Sequence, residues 1–121
     1  MAKVALVTGS GKKRVGAAVA DALARRGYDI GVHFRTSEAE AVETVAELRA
    51  LGVEAEAFRA DLADEDAVKA MVAGVMARFG RIDVLVNCAA VWKPKRLEDV
   101  TAADVRFHFD ANALATFLCS Q

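Results

Sequence analysis

The chain has few of the residues and segments that mark several classes of protein. Its 121 residues include two cysteines and one proline, which argues against a disulfide framework and favours a reducing compartment. Sixteen Lys and Arg residues stand against seventeen Asp and Glu residues, so no overall field attracts nucleic acid. No apolar run approaches the roughly 18 residues of a membrane span, and the chain does not start with a signal-peptide pattern. We therefore expect a cytoplasmic protein that binds neither nucleic acid nor membranes.

Apolar segments of strand length alternate with amphipathic segments of helical period. The first three helical segments each run up to a glycine, which commonly follows a helix C-terminus. Four such alternations with short connections predict βαβ units wound in a right-handed sense into one parallel sheet. We predict an α/β fold, a doubly wound Rossmann-type sheet with strand order 3-2-1-4, in one domain over residues 1–121. The predicted strands are 4–7, 29–34, 53–60 and 82–87, and the predicted helices are 15–26, 37–51, 64–79, 101–109 and 110–121.

A glycine-rich turn joins the first strand to the first helix. Its glycines permit a tight turn and a close backbone approach, and the N–H groups at the helix start attract an oxyanion. A P-loop is disfavoured because Lys13 stands where Ser or Thr would hold magnesium. The position between a buried strand and a helix predicts dinucleotide binding, and a purely structural turn is the alternative. The candidate cofactor-binding residues here are Gly9, Ser10, Lys13, Arg14, Val15 and Gly16.

The end of the second strand lacks the carboxylate that accepts hydrogen bonds from the ribose 2′-OH in NAD-specific folds. Instead the sequence continues to Arg35 and Ser37. Arg35 can donate to a 2′-phosphate in a planar fork, Ser37 can add a hydroxyl, and Lys13 or Arg14 can approach from the first turn. The pattern predicts NADP rather than NAD. The alternative for Arg35 is a solvated surface residue.

Four separated segments carry a family resemblance in their order and spacing. They are Thr8-Gly9 with Gly16, Ala60-Asp61-Leu62, the run from Phe79 to Ala89, and Asn112. These segments resemble the short-chain dehydrogenase/reductase family over essentially the whole chain. The resemblance implies a nicotinamide cofactor and hydride transfer to or from a small-molecule carbonyl or imine. The basic turn and residues 33–37 are similar to the pteridine-reductase-like branch of that family.

The resemblance also implies roles for individual residues. Asp61 and Leu62 would hold the adenine, although Asp61 could instead cap the third helix. Asn87 and Ala89 are similar to the family's Asn-x-Ala segment beside the cofactor ribose, with Ala90 where Gly is usual. Asn112 resembles a helix Asn that helps to hold a water and the proton-relay lysine, and a hydrogen-bonding core Asn is its alternative.

The family's catalytic Ser and Tyr-x-x-x-Lys do not occur in the chain. The one tyrosine, Tyr28, falls between the first helix and the second strand, at the wrong end of the sheet. The two histidines, His33 and His108, lack a positioned nucleophile or metal-ligand partner, so we expect ordinary side chains and no metal site. We therefore expect the domain to be truncated before its catalytic segment, and to be inactive alone.

We then expect the complete protein to be an NADP-dependent oxidoreductase. Helix 110–121 resembles the family's dimer helix, and this resemblance favours a homo-oligomer, either a dimer or a tetramer. The alternatives are a catalytically inactive dinucleotide-binding module and an NAD-preferring dehydrogenase. The substrate pocket of this family is formed largely by a later segment. The sequence therefore does not select a substrate.

Overall fold

The computed structural model describes residues 2–90 and 94–121, and its elements follow the predicted alternation. The first three helices and the four strands alternate along the chain, and a 3-10 turn at Leu97–Asp99 precedes the last helical segments. The strands are β1 Val4–Thr8, β2 Asp29–Phe34, β3 Ala55–Arg59 and β4 Val84–Asn87, and the helices are α1 Val15–Arg25, α2 Glu38–Ala50, α3 Glu65–Phe79, α4 Ala102–His108 and α5 Ala115–Ser120.

The strands form a parallel sheet in the order β3-β2-β1-β4, which confirms the predicted topology. Leu6 of β1 lies opposite Gly31 of β2 on one side and Leu85 of β4 on the other. β1 is an interior strand of the sheet, and all five of its residues are buried, four apolar residues followed by Thr8. The first strand therefore ends in the middle of the sheet edge, where the turn that follows it meets the ends of its neighbours.

Helices cover both faces of the sheet. One core cluster joins alternate strand residues such as Ala5, Val7 and Ile30 to α1 and α2. The other joins Leu6 to apolar residues of α3 and to Ala115 at the start of α5. Successive side chains of a strand point to opposite faces, so the continuous apolar runs seen in the sequence supply both cores. The doubly wound arrangement is confirmed.

Two helix starts have side-chain caps, at the residues with which the predicted helices begin. The Asp64 carboxylate accepts from the N–H groups of Asp66 and Ala67 and begins α3. Thr101 and Asp104 form a reciprocal capping box at the start of α4, in which each side chain satisfies a backbone donor of the other. Ser37 stands at the N-cap position of α2 but makes no side-chain capping bond.

The largest differences between the predicted boundaries and the structure are at two strands and in the last helix. β3 and β4 each begin two residues later than predicted. The predicted continuous helix 110–121 is wrong, because residues Phe109–Leu114 form a π-helical segment before α5. An i→i+5 turn differs from an α-turn by one residue, and apolar spacing over so few residues does not separate the two.

Across the two described stretches of chain, no helix has both the length and the apolar character required to cross a bilayer.

Candidate functional site

A cavity of about 900 Å³ lies at the carboxyl ends of the strands. In an open parallel sheet this edge is where ligands bind, at the point where the strand order reverses. Here the reversal falls between β1 and β4. The residues that line the cavity are Gly9, Gly11, Lys12, Arg14, Val15, Gly16, His33, Phe34, Arg35, Thr36, Ser37, Ala60, Asp61, Leu62, Ala63, Cys88, Ala89, Ala90, Phe107, Asp110 and Ala111.

The glycines of the turn after β1 are required by its close contacts. Gly9 has a left-handed φ of 66°, and a Cβ there would lie 2.8 Å from the Cα of Ala89. A Cβ on Gly16 would lie 2.6 Å from the carbonyl oxygen of Gly9. The start of α1 therefore rests directly on the turn, and a larger residue at either position would push the two apart.

Backbone hydrogen bonds decide which N–H groups of the turn face the cavity. The N–H of Gly11 donates to the carbonyl of His33 at 3.0 Å, and the N–H of Arg14 donates to Lys12 at 2.8 Å. Val15 and Gly16, the first residues of α1, have no intrahelical acceptor within reach of their N–H groups, as at any helix start. Both residues line the cavity. The geometry suits an oxyanion at the helix N-terminus.

The basic side chains of the turn divide between the cavity and helix α2. Arg14 lines the cavity together with Lys12, which the sequence analysis did not select. Lys13 lies elsewhere: its Nζ is 3.1 Å from a Glu47 carboxylate oxygen and 3.5 Å from one of Glu43. The hydrogen bond and charge of Glu47 raise the pKa of Lys13, with a smaller effect of Glu43. The turn therefore projects neighbouring lysines in different directions.

The end of β2 supplies further groups to the cavity. Arg35, Thr36 and Ser37 line it, as the sequence led us to expect for Arg35 and Ser37. Helix α2 begins immediately afterwards at Glu38. A guanidinium, two hydroxyls and a helix start are thus placed side by side, a set of donors suited to a phosphate group.

Ser10 and Thr8 hold the turn from inside. Ser10 is fully buried, does not line the cavity, and its hydroxyl donates to the carbonyl of Val7 at 2.7 Å. The Thr8 hydroxyl accepts from the N–H groups of Cys88 and Ala89, each at 3.1 Å. Thr8 therefore fixes the segment after β4 against the turn. The sequence motif included Thr8, but no role was predicted for it.

The segment after β3 places Asp61 and Leu62 at the cavity wall. Asp61 is exposed, and its Oδ1 accepts from the N–H of Ala63 at 3.0 Å. The alternative role of Asp61 as the cap of α3 is wrong, because Asp64 performs it. Leu62 is only 6% exposed, so it presents a small apolar surface to the cavity.

The segment after β4 brings Ala89 and Ala90 to the cavity, along with Cys88. Asn87 ends β4 just outside the lining, and its amide donates to the Ser120 hydroxyl at 3.4 Å. Asn112 lies in the π-helical segment and also falls outside the lining. Its carbonyl accepts from the Thr116 hydroxyl at 3.0 Å. Asp110 and Ala111, the two residues before Asn112, are the residues of that segment that reach the cavity.

His33 lines the cavity and bridges two loops, although the sequence predicts an ordinary side chain there. It is 3% exposed, its Nδ1 accepts from the N–H of Gly9 at 2.8 Å, and its Nε2 donates to the carbonyl of Ala60 at 2.9 Å. Burial lowers the pKa of His33, and the bond to Ala60 opposes that shift in part. A single histidine in a strand gives no sequence signal for such a bridge between two loops.

Other chemistry has little support in the described residues. Tyr28 lies just before β2, at the opposite end of the strand from the cavity, and packs against the α1 and α2 core. Residues 2–90 and 94–121 contain no group of three or more His, Cys, Asp or Glu side chains placed to hold a metal ion. The close glycine turn, the helix start and the basic groups fit a phosphorylated nucleotide.

Comparison with known proteins agrees with this arrangement. The short chain dehydrogenase family model matches residues 3–121. The chain belongs to the short chain dehydrogenase family. A 3-oxoacyl-(acyl-carrier-protein) reductase of Staphylococcus aureus is 37% identical over 121 residues, which are all of this chain and 49% of that protein.

Solved structures of the family share the fold closely. A short chain dehydrogenase of Burkholderia cenocepacia in complex with NADP has a TM-score of 0.93 and 39% identity, covering 98% of this chain and 48% of its own. An acetoin dehydrogenase of Enterobacter cloacae has a TM-score of 0.90 and 40% identity, and the match covers 100% of this chain and 48% of the dehydrogenase. The chain therefore spans about half the length of these oxidoreductases.

Proposed function

We propose that this chain is the cofactor-binding part of an NADP(H)-dependent oxidoreductase that transfers hydride to or from a carbonyl or imine. The observation that carries the proposal is the charge at the end of β2. Arg35 lines the cavity there with Ser37, and Lys12 and Arg14 line it from the turn after β1. Asp61 and Asp110 are the acidic groups of the lining, and neither follows β2. A 2′-phosphate is the group that this arrangement favours.

The remaining groups have roles consistent with the same ligand. The N–H groups of Val15 and Gly16 would face its pyrophosphate, with Gly9 permitting the close approach. Asp61 and Leu62 would contact the adenine, and Ala89 and Ala90 the ribose beside the nicotinamide. When bound, the nicotinamide supplies the hydride. This chain's own residues bind and orient the cofactor.

Two of the predicted site residues, Ser10 and Lys13, act indirectly in this proposal. Ser10 would hold the turn through its bond to Val7, and Lys13 would anchor it to α2 through Glu43 and Glu47. Asn87 and Asn112 lie outside the lining. We propose that they position groups of the complete protein, Asn112 beside the proton relay, without contacting the cofactor themselves.

The whole protein is proposed to act in the cytoplasm as a homo-oligomer on a small carbonyl or imine substrate. The names of two relatives suggest the first substrates to assay. These are a 3-oxoacyl thioester, from the Staphylococcus reductase, and acetoin, from the Enterobacter dehydrogenase. Oxidation of NADPH followed at 340 nm with each compound would test turnover. Cofactor binding without turnover of any carbonyl substrate would instead favour an inactive binding module.

The cofactor preference is tested by Arg35→Ala in the whole protein. A hydrogen bond to a charged group contributes about 1.5 to 3 kcal/mol, so we expect NADP affinity to fall roughly 10- to 100-fold while NAD affinity stays within about twofold. Arg25→Ala is the matched control, because Arg25 pairs with Asp21 on the exposed side of α1. Tighter binding of NAD than NADP by the unmodified protein would contradict the proposal.

A further inference from the structure

His33 connects two parts of the cavity that are distant in sequence. Gly9 begins the turn at the start of α1, and Ala60 immediately precedes Asp61 and Leu62. The imidazole spans them with one bond to each, at 2.8 and 2.9 Å. A third bond links the same residue to the turn, because the His33 carbonyl accepts from the N–H of Gly11 at 3.0 Å. The side chain of His33 therefore bridges the two walls, and its backbone makes a further bond to the turn.

The two bonds define the protonation state of the ring. Gly9 offers an N–H, so Nδ1 must carry a lone pair, and Ala60 offers a carbonyl, so Nε2 must carry the proton. This is the neutral Nε2–H tautomer. A protonated imidazole has two donors and no acceptor, so it would present an N–H to the Gly9 N–H and break that bond. The Ala60 bond would survive.

We propose that neutral His33 is a positioning residue that holds the turn at Gly9 in its cofactor-binding conformation, and that protonation of His33 releases the turn and weakens cofactor binding. The inference rests on the proposed cofactor site. It assigns His33 no contact with the reacting atoms. Its effect passes through Gly9, whose left-handed φ and contact with Ala89 leave little other room for the turn.

The surroundings favour the neutral ring. Burial is the main cause that lowers the pKa of His33. A lowered pKa means that the neutral ring stabilises the folded state above the ordinary histidine pKa. This contribution to stability is lost as the pH falls toward the lowered pKa. The ionisable residues on the segments that adjoin the imidazole are Lys12, Lys13 and Arg14 in the turn, Arg35 after β2, Glu56 and Arg59 in β3, Asp61 after β3, and Asp64, Glu65, Asp66 and Lys69 at the start of α3.

Replacement of His33 with asparagine separates the ring's role as a hydrogen-bond acceptor from its ability to take up a proton. The Asn side chain can place its Oδ1 near the position of Nδ1 and accept from Gly9, but it does not titrate. His33→Leu removes the acceptor altogether. In the whole protein we expect NADP affinity at pH 8 to be nearly retained by His33→Asn and to fall about tenfold or more in His33→Leu, since a buried donor loses its partner.

The decisive measurement is the dissociation constant of oxidised NADP, and of NAD, from pH 8 to pH 5. We expect the unmodified protein to lose about tenfold more affinity than His33→Asn as the pH falls. His108→Asn, which alters the other histidine of the chain, should follow the unmodified protein. The 2′-phosphate of NADP also titrates in this range, but it affects the dissociation constants of all variants equally and so cancels when the variants are compared. NAD lacks that phosphate and provides a control. Parallel pH profiles for the unmodified protein and His33→Asn would overturn the inference.

A second readout does not depend on a folded variant. Because binding and proton uptake are reciprocal, NADP should lower the pKa of His33 in the unmodified protein, as followed by NMR of the imidazole. An unchanged His33 pKa, or an Nδ1–H tautomer, would overturn the inference. Absence of binding of either nucleotide at pH 8 would instead contradict the proposed function, so the two failures are distinguishable.

Discussion

The turn after β1 and the C-terminal part of the chain differ in how they bury polar groups. The cradle, which we define as residues 8–16 with His33, Thr44 and Ala60, contains the four buried polar residues found within the described stretches: Thr8, Ser10, His33 and Thr44. Each makes a hydrogen bond to the backbone, and Thr44 donates to the carbonyl of Gly11 at 2.9 Å. Buried polar groups are costly unless satisfied, so the cradle depends on an internal network that determines its shape.

The C-terminal segment, residues 94–121, has the opposite character. Ala115 is its one residue classed as buried, and Val105, Phe109 and Phe117 are each about 60% exposed. Its hydrogen bonds are mostly local, as in the capping box of α4. The comparison shows that the side of the cavity formed by the cradle is held by contacts within this chain, whereas the side formed by Phe107, Asp110 and Ala111 rests on few buried contacts.

The largest expected effect is in the core beneath the cradle. Leu6 is 1% exposed and Leu97 is 87% exposed. We expect Leu6→Ala to lower the free energy of unfolding by about 2 to 5 kcal/mol, since it leaves a cavity, and Leu97→Ala to change it by less than about 0.5 kcal/mol. Urea denaturation measures both. Equal losses would show that the C-terminal segment is as tightly packed as the core.

The next effect is on the cradle itself. Gly16→Ala places a Cβ against the Gly9 carbonyl, so we expect a loss of about 1 to 3 kcal/mol of stability from overpacking and at least a tenfold loss of NADP affinity. Gly74→Ala in α3 is the matched control, because its Cβ would meet only the Phe58 ring at 3.4 Å. Calorimetry and nucleotide titration measure the two changes. Unaltered NADP binding by Gly16→Ala would contradict the contact between α1 and the turn.

Thr8 tests the connection between the two regions. Thr8→Val removes the acceptor of the Cys88 and Ala89 N–H groups, and unsatisfied donors should cost about 1 to 2 kcal/mol. Hydrogen exchange at those two amides should accelerate. Thr116→Val provides the comparison within the C-terminal segment, since the exposed Thr116 hydroxyl has a single carbonyl partner in Asn112. A larger loss at Thr116 would reverse the expected ranking.

The smallest effect is electrostatic and belongs to the C-terminal segment. The hydrogen bonds of Asp104 with Lys95 and then with Thr101 hold the pKa of its carboxyl well below the usual range. A lowered pKa stabilises the fold above the ordinary carboxyl pKa, and that contribution disappears as the pH falls. Thermal unfolding of Asp104→Asn should therefore differ from that of the unmodified protein at pH 7, and the difference should shrink only as the pH falls below the ordinary carboxyl pKa toward the lowered one. Asp99→Asn, in the neighbouring turn, should show a smaller difference at pH 7.

The sequence by itself determined the order of elements, the parallel sheet and the family. Local signals were sufficient for these features, because apolar runs, caps at Asp64 and Thr101, and glycines at helix ends act within a few residues. The same signals predicted the glycine turn and the basic end of β2. The nucleotide contacts assigned to them remain predictions.

Only the tertiary structure decided which side chains line the cavity and which contact other parts of the chain. Lys12 and Lys13 are adjacent, yet one lines the cavity and the other pairs with α2, because the direction of a side chain in an irregular turn has no period. His33 is a bridge because Gly9 follows β1 and Ala60 follows β3, the two strands that flank β2 in the sheet, although the two residues are distant in sequence. Such contacts depend on sheet order, which places distant loops together.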